Sequence, residues 1–184
     1  MSNTRTGRDV EVLILGAGVC GIAAAVGCVR AGFDDFVIIE RASEIGGTWH
    51  HNTYPGCAVD IPSHVYSFSY APNADWSRLF SPAQEVKSYL IDVAQQYGLG
   101  PKMAMETELL NATWDEDAQR WIVTTDRGVY RARYFVSAAG PLHEAIIPNL
   151  PGLESFSGQM FHSSAWPTDL DLRGKRVVVL GTGA

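Results

Sequence analysis

The chain has 184 residues, with 20 acidic against 14 basic side chains and a formal charge of −6; 46% of the residues are hydrophobic and 18% charged. That composition can bury a sizeable core and excludes intrinsic disorder for the bulk of the chain. The acidic balance and the lack of any Lys/Arg run argue against a nucleic-acid or anionic-membrane surface, leaving a neutral or cofactor-carried substrate as the better fit.

Taken in chain order, the first eight residues are polar and expected to be loose. Val10 to Leu15 is a short β-branched and aliphatic run ending in glycine, the pattern of a buried parallel strand. Gly18 to Arg30 reads as a helix of small residues able to lie close on a sheet, with Gly32 as its stop. Phe36 to Glu40 is the next strand. Leu13 to Val29 alone resembles a signal peptide or short anchor, but Asp9 and Glu11 sit where a basic region should be, and the strand-turn-helix-strand order favours a cytoplasmic nucleotide fold. Ala42 to Ala74 is loop-rich, punctuated by Pro55, Gly56, Pro62 and Pro72. A helix follows: Ser81 and Gln84 have capping-box spacing, Pro82 takes the first helical position, Gly98 ends it, and Val86, Tyr89, Leu90, Val93 and Tyr97 form its apolar face.

Past Met103 the period changes. Leu109 to Trp114, Trp121 to Thr125 and Val129 to Tyr134 read as an antiparallel meander, and Phe135 to Ala139 as a separate buried strand closed by Gly140-Pro141. A Pro/Gly-rich connection covers Pro148 to Gly174, and Arg176 to Leu180 reads as a new parallel-type strand leading into a second dinucleotide turn at Gly181-Thr182-Gly183. The fold expected is α/β, a Rossmann-like nucleotide-binding fold with an inserted antiparallel β-meander. Residues 1–172 would form the first domain, with a linker from about 148, and residues 173–184 the truncated start of a second.

The chemistry concentrates in the first turn. Gly16-Ala17-Gly18-Val19-Cys20-Gly21 is G-x-G-x-x-G between strand and helix: Gly16 for the tight turn, Gly18 for the approach of pyrophosphate, Gly21 for helix–strand packing, and the helix N-terminus for the phosphates. Glu40, about 20 residues on, can accept from both ribose hydroxyls and would repel a 2′-phosphate, so the first nucleotide is FAD or NAD. Cys20, Cys28 and Cys57 make no disulfide framework, because Cys20 and Cys28 would lie ~12 Å apart on one helix, beyond the ~7 Å bridging limit. The five histidines, His50, His51, His64, His143 and His162, lack zinc-type spacing, and no metal is expected.

Glu40-Arg41 followed by Gly46-Gly47 resembles the E-R-x4-G-G segment of flavoproteins with two dinucleotide-binding domains. Disulfide reductases carry a redox cysteine pair soon after Gly46-Gly47-Thr48; here Trp49 stands in that place. Gly46-Gly47-Thr48-Trp49, Tyr54-Pro55-Gly56 and Asp60 match the motif [AG]-G-x-W-x4-[FY]-P-[GM]-x3-D of the Baeyer–Villiger monooxygenases. Phe156, Gly158, His162, Trp166 and Pro167 match their second fingerprint, F-x-G-x3-H-x3-W-P. The chain thus resembles that family from about Val10 to its end. Flavin-containing N- or S-oxygenating monooxygenases are similar, but usually carry a different aromatic residue at the position of Trp166.

The resemblance implies FAD held by Gly16, Gly18, Val19, Cys20, Gly21, Glu40, Arg41 and Gly47. Thr48 and Trp49 would line the flavin side, Tyr66 contact the flavin region, and Leu109 touch the adenosine through its backbone. Ala58 and Val59 would meet NADPH, whose own turn would include Gly181 and Gly183. Asp60 would be the catalytic carboxylate, beside isoalloxazine and nicotinamide, partnering an arginine beyond Ala184. It implies oxygenation by a C4a-peroxyflavin of a small-molecule carbonyl substrate with molecular oxygen, ketone to ester or lactone, the alternatives being N- or S-oxygenation or an inactive flavin-binding fragment. The short chain is expected to be inactive alone. Many ketone-oxidising relatives carry an arginine in the stretch that reads Gly56-Cys57-Ala58-Val59-Asp60 here. Asp60 as a turn cap, Trp49 and Tyr66 as core aromatics, and His162 as a hydrogen-bonded linker residue are the bland counterparts.

Overall fold

A computed structural model describes residues 7–142 and 144–181. Strand β1 (Arg8–Leu15) leads into helix α1 (Val19–Arg30), then β2 (Phe36–Ile39). A four-residue helix α2 (Thr48–His51) and a 3-10 turn at Ser63–Val65 lie in the loop-rich stretch, followed by α3 (Ala83–Gln96). The strands β3 (Met103–Ala104), β4 (Leu109–Asp115), β5 (Arg120–Thr125) and β6 (Gly128–Ser137) complete one six-stranded sheet of order β3-β2-β1-β6-β5-β4. Pairing is parallel from β3 to β6 and antiparallel from β6 to β4.

Strand alternation sends neighbouring residues to opposite faces. Val12, Ile14, Phe36 and Ile38 pack with Ile22, Ala25 and Val26 of α1 and Val86, Leu90 and Val93 of α3. Leu13, Val37 and Ile39 pack instead with Val123 and Ala132, flanked by Trp121, Tyr130 and Phe135. The meander therefore covers the face that the helices leave open.

Three sequence expectations need correction, and one strand has no sequence signal. The meander strand and the separate strand at Phe135 are one: within β6, residues 128–132 pair with β5, and 130–137 with β1. The change of composition at Phe135 marks where β5 ends alongside, not a turn, so the meander continues the parallel sheet rather than interrupting it. The capping box at Ser81 does not form. Pro82 is itself the N-cap, without a side-chain cap bond, because Ser81 is held elsewhere: its N–H donates to Ser63 Oγ at 2.8 Å and its hydroxyl to the Arg78 carbonyl at 3.3 Å. Two-residue β3, paired through Ile38↔Met103 and Ile39↔Ala104, is too short for any periodicity to reveal. Arg176 to Leu180 is not a strand; Val178 and Val179 are each 80% exposed, since no neighbour among the described residues offers its backbone a ladder.

Candidate functional site

Three neighbouring parallel strands deliver the turn residues to one end of the sheet, the carboxyl end where open α/β sheets bind ligands. Gly16 follows β1, Glu40 follows β2 and Ala138 follows β6. The Gly16 N–H donates to the Ile39 carbonyl at 2.8 Å and that of Ala138 to the Leu15 carbonyl at 2.9 Å. Space here is short. A Cβ on Gly16 would lie 2.5 Å from the Ala138 carbonyl oxygen, and one on Gly21 would lie 1.8 Å from the Gly16 oxygen. Gly21 is thus glycine because helix and turn touch.

Gly18 differs. Its φ of −83° suits any residue, and a Cβ there would make only ordinary contact, 3.5 Å from Gly47 Cα. Nothing in the fold demands glycine at this N-cap, whereas close approach of a ligand to the backbone would. Gly47 faces it with φ 54° and ψ −120°, a region essentially restricted to glycine. The two loops are tied together where they meet, the Gly46 N–H donating to the Ala17 carbonyl at 3.0 Å. A cradle of backbone results, at the N-terminus of α1, with its partial positive charge.

Glu40 is 7% exposed. Its Oε2 accepts from the Ala17 N–H and its Oε1 from the Ala42 N–H, both at 2.8 Å. The expectation that it serves ribose hydroxyls must be narrowed: each oxygen has one lone-pair direction already used, and the remainder is what a ribose could take. Thr107, whose N–H donates to the Glu40 carbonyl at 2.8 Å, brings the start of β4, and with it Leu109, beside the same loop. Ala17, Ala42, Thr107 and Ala138 all act through backbone atoms, which no side-chain pattern could flag.

Behind the cradle, Trp49 and Tyr66 meet edge to face at 5.5 Å between ring centroids, and the Trp49 indole N–H donates to the Tyr66 hydroxyl at 3.1 Å. Burial pushes the Tyr66 phenol above its ordinary pKa; the Trp49 bond works against this, and the charges of Asp60 and Cys20 add to it. Trp49 and Tyr66 therefore meet, although 17 residues separate them in the chain. Asp60 is exposed, and the 3-10 turn after it begins at Pro62 without a side-chain cap. The segment bearing it is fixed by backbone pairing, the Val59 N–H to the Ser81 carbonyl at 3.0 Å and the Ala83 N–H to that of Cys57 at 2.9 Å. Val59 is only 3% exposed and packs in the core, while Ala58 before it is half-buried.

Arg41 and Thr48 are exposed on the loop rim. Lys87 of α3 reaches Glu44 at 2.7 Å and His50 Nδ1 at 3.1 Å, pinning the loop that carries Gly46 and Gly47. His162 caps a short 3-10 turn, its Nδ1 accepting from the Ser164 N–H at 3.2 Å, and Trp166 packs on Phe161. Gly181 lies exposed outside any helix, and Gly183 falls outside the described residues.

Residues 13–184 match the family described as "Pyridine nucleotide-disulphide oxidoreductase". The chain belongs to that family. Cys20, Cys28 and Cys57 are free thiols, Cys57 buried and Cys20 exposed. The family's nucleotide-binding α/β fold is the one described above. A Baeyer–Villiger monooxygenase of Streptomyces coelicolor is 47% identical over 177 residues, covering 96% of this chain and 34% of that protein. A closed crystal structure of cyclohexanone monooxygenase superposes with TM-score 0.84 at 38% identity, covering 97% of this chain and 34% of the other. A crystal structure of OTEMO in complex with FAD and NADP superposes with TM-score 0.77 at 34% identity, over 86% of this chain and 31% of that one. The likeness to Baeyer–Villiger monooxygenases thus runs through nearly the whole chain, which spans about a third of the length of these relatives.

Proposed function

We propose that the chain is the FAD-binding portion of an FAD- and NADPH-dependent monooxygenase that inserts one oxygen atom next to a carbonyl, turning a ketone into an ester or lactone. The observation that carries this reading is the backbone cradle at Gly18 and Gly47, with Trp49 rather than a cysteine behind it. Bound FAD, reduced by NADPH and reoxidised by molecular oxygen, would supply the oxygen-transfer chemistry.

The chain's own residues bind and orient. Gly16 to Gly21 and the α1 N-terminus would hold the pyrophosphate, Val19 and Cys20 contributing N–H groups of the first turn. Glu40 would offer its free lone pairs to a ribose, its charge rejecting a 2′-phosphate. Arg41, Gly47, Thr48 and Leu109 would border the dinucleotide. Asp60, exposed on the loop after Val59, would orient positive groups at the reactive face, including the arginine implied by the family resemblance. Ala58 would adjoin the nicotinamide. Residues 1–172 would then be FAD domain with a linker from about 148, and 173–184 the start of an NADPH domain whose turn holds Gly181 and Gly183. The three free thiols suit a reducing cytoplasm. Among the described residues, no helix is long and apolar enough to cross a membrane.

Gly18→Ala tests the reading. Its Cβ meets only ordinary contact at 3.5 Å from Gly47 Cα, so thermal stability should be nearly unchanged while FAD affinity falls about tenfold or more, the equivalent of one lost contact of about 1.4 kcal/mol. Unchanged FAD affinity in the folded variant overturns the assignment.

A further inference from the structure

An open cleft of about 640 Å³ is walled by residues of the 49–58 stretch, by Arg78 and by the first turns of α3, a volume suited to a small-molecule ligand. Its lining brings together His50, Arg78 and Lys87 and includes no aspartate or glutamate, in a chain with 20 acidic side chains. The hydrogen bonds fix which donors are left over. A lysine ammonium only donates, so in the 3.1 Å contact of Lys87 Nζ with His50 Nδ1 the histidine accepts, and its ring proton sits on Nε2. Among the described residues that N–H has no acceptor, and the Arg78 side chain makes no hydrogen bond or ion pair. Lys87 gives a second proton to Glu44 at 2.7 Å and keeps a third.

Lys87 and Glu44 cancel, His50 is neutral, and Arg78 leaves one positive charge. Glu85 of the same helix lines a separate cleft and spends its carboxylate on Ser77, at 2.8 and 2.7 Å. The walls thus offer several donors and a single net charge, the complement of a carboxylate rather than of a phosphate dianion. Trp49, Tyr54 and Ala58 add apolar surface. Trp49 is shared with the site described above, where its indole donates to Tyr66, and Ala58 stands two residues before Asp60. We propose that this cleft holds the acid group of the substrate: the carbonyl compound is an oxo acid, its carboxylate bound by Arg78 and the His50 N–H, its body lying along Trp49 toward Asp60. The role as substrate rests on the monooxygenase reading above; the anion site itself does not.

Levulinate, a simple oxo acid, and its uncharged methyl ester test this on the full chain by saturation-transfer NMR. Levulinate should bind about tenfold more tightly than the ester, the lower end of what a hydrogen bond to a charged group is worth. Arg78→Met should remove that advantage and leave the ester unchanged; Arg78 is exposed, so the variant keeps its fold. With FAD bound, levulinate should shift the flavin absorbance, and Arg78→Met should raise the concentration needed by the same factor. Levulinate binding no tighter than the ester, or unmoved by Arg78→Met, overturns the inference while leaving the flavin reading standing. Inorganic phosphate that displaces levulinate at equal concentration overturns the carboxylate assignment. Levulinate bound through Arg78 with no change in the spectrum of bound flavin overturns its role as substrate. A chain that binds levulinate but no FAD overturns the flavin reading, and the substrate role with it, and supports the anion site alone.

Discussion

Two four-residue stretches of almost the same composition have opposite fates. Phe36 to Ile39 is buried along its whole length, with Ile38 and Ile39 at 0% exposure, while Val177 to Leu180 is 54% to 80% exposed and pairs with nothing described. β-branched composition makes a segment fit a sheet but does not make the sheet. Phe36 to Ile39 has β1 on one side and β3 on the other, with α1, α3 and the meander closing its two faces. The contrast teaches that strand character is conferred by neighbours, and that the turns which bring those neighbours together carry the fold.

If so, the largest effect should come from a turn rather than from a strand. Gly21→Ala places a Cβ 1.8 Å from the Gly16 carbonyl oxygen, an overlap with backbone that no rotamer relieves. We expect a loss on the order of 4 kcal/mol or failure to fold, read as insolubility or a collapsed urea midpoint. Gly27→Ala in the same helix, with nothing within 4 Å, is the control, and equal behaviour of the two would break the argument.

Next in size is the direct contrast of the two stretches. Ile38→Ala should cost about 3 kcal/mol, because a fully enclosed site cannot collapse around the missing atoms. Val178→Ala should change stability by less than about 0.5 kcal/mol. Chemical denaturation of both variants decides this; a comparable cost at Val178 would mean that the exposed stretch is packed after all.

The smallest effect separates the two regions by pH. All seven tyrosines precede residue 135, several of them packed around α3. Among the described residues the Tyr70 hydroxyl is buried without a partner, and burial pushes its pKa up to about 12; burial also raises that of Tyr89, which donates to the Ala71 carbonyl at 2.8 Å. A folded pKa raised above the unfolded value of about 10 contributes stability that is complete below pH ~10 and is lost as pH rises toward ~12. The cooperative unfolding midpoint should therefore drop between pH ~9 and ~11.5, and the drop should shrink in Tyr70→Phe. A flat midpoint across that interval would show that these phenols ionise equally well in both states.

Much of this architecture was legible in the residues. The strand before Gly16, the helix after it, the α3 face and the three meander strands all announce themselves by period and punctuation. What escaped has physical causes. One strand serving two neighbours changes its composition where one neighbour ends, and so β6 read as two. Ser81 could satisfy its hydrogen bonds in more than one way, and Ser63, 18 residues away, settled the choice. Of the candidate site, the glycines, Glu40, Trp49, Tyr66 and Asp60 could be named from the sequence, but not the cradle, since Ala17, Ala42 and Thr107 contribute only amides that every residue owns.

Glu40 carries one further consequence. A single carboxylate staples the phosphate turn through Ala17 and the following loop through Ala42, so the cavity walls are set before anything enters. Loops ordered in advance need not surrender conformational freedom on association. Ligand capture should then be governed by encounter and desolvation rather than by loop closure, giving association kinetics without a slow rearrangement phase.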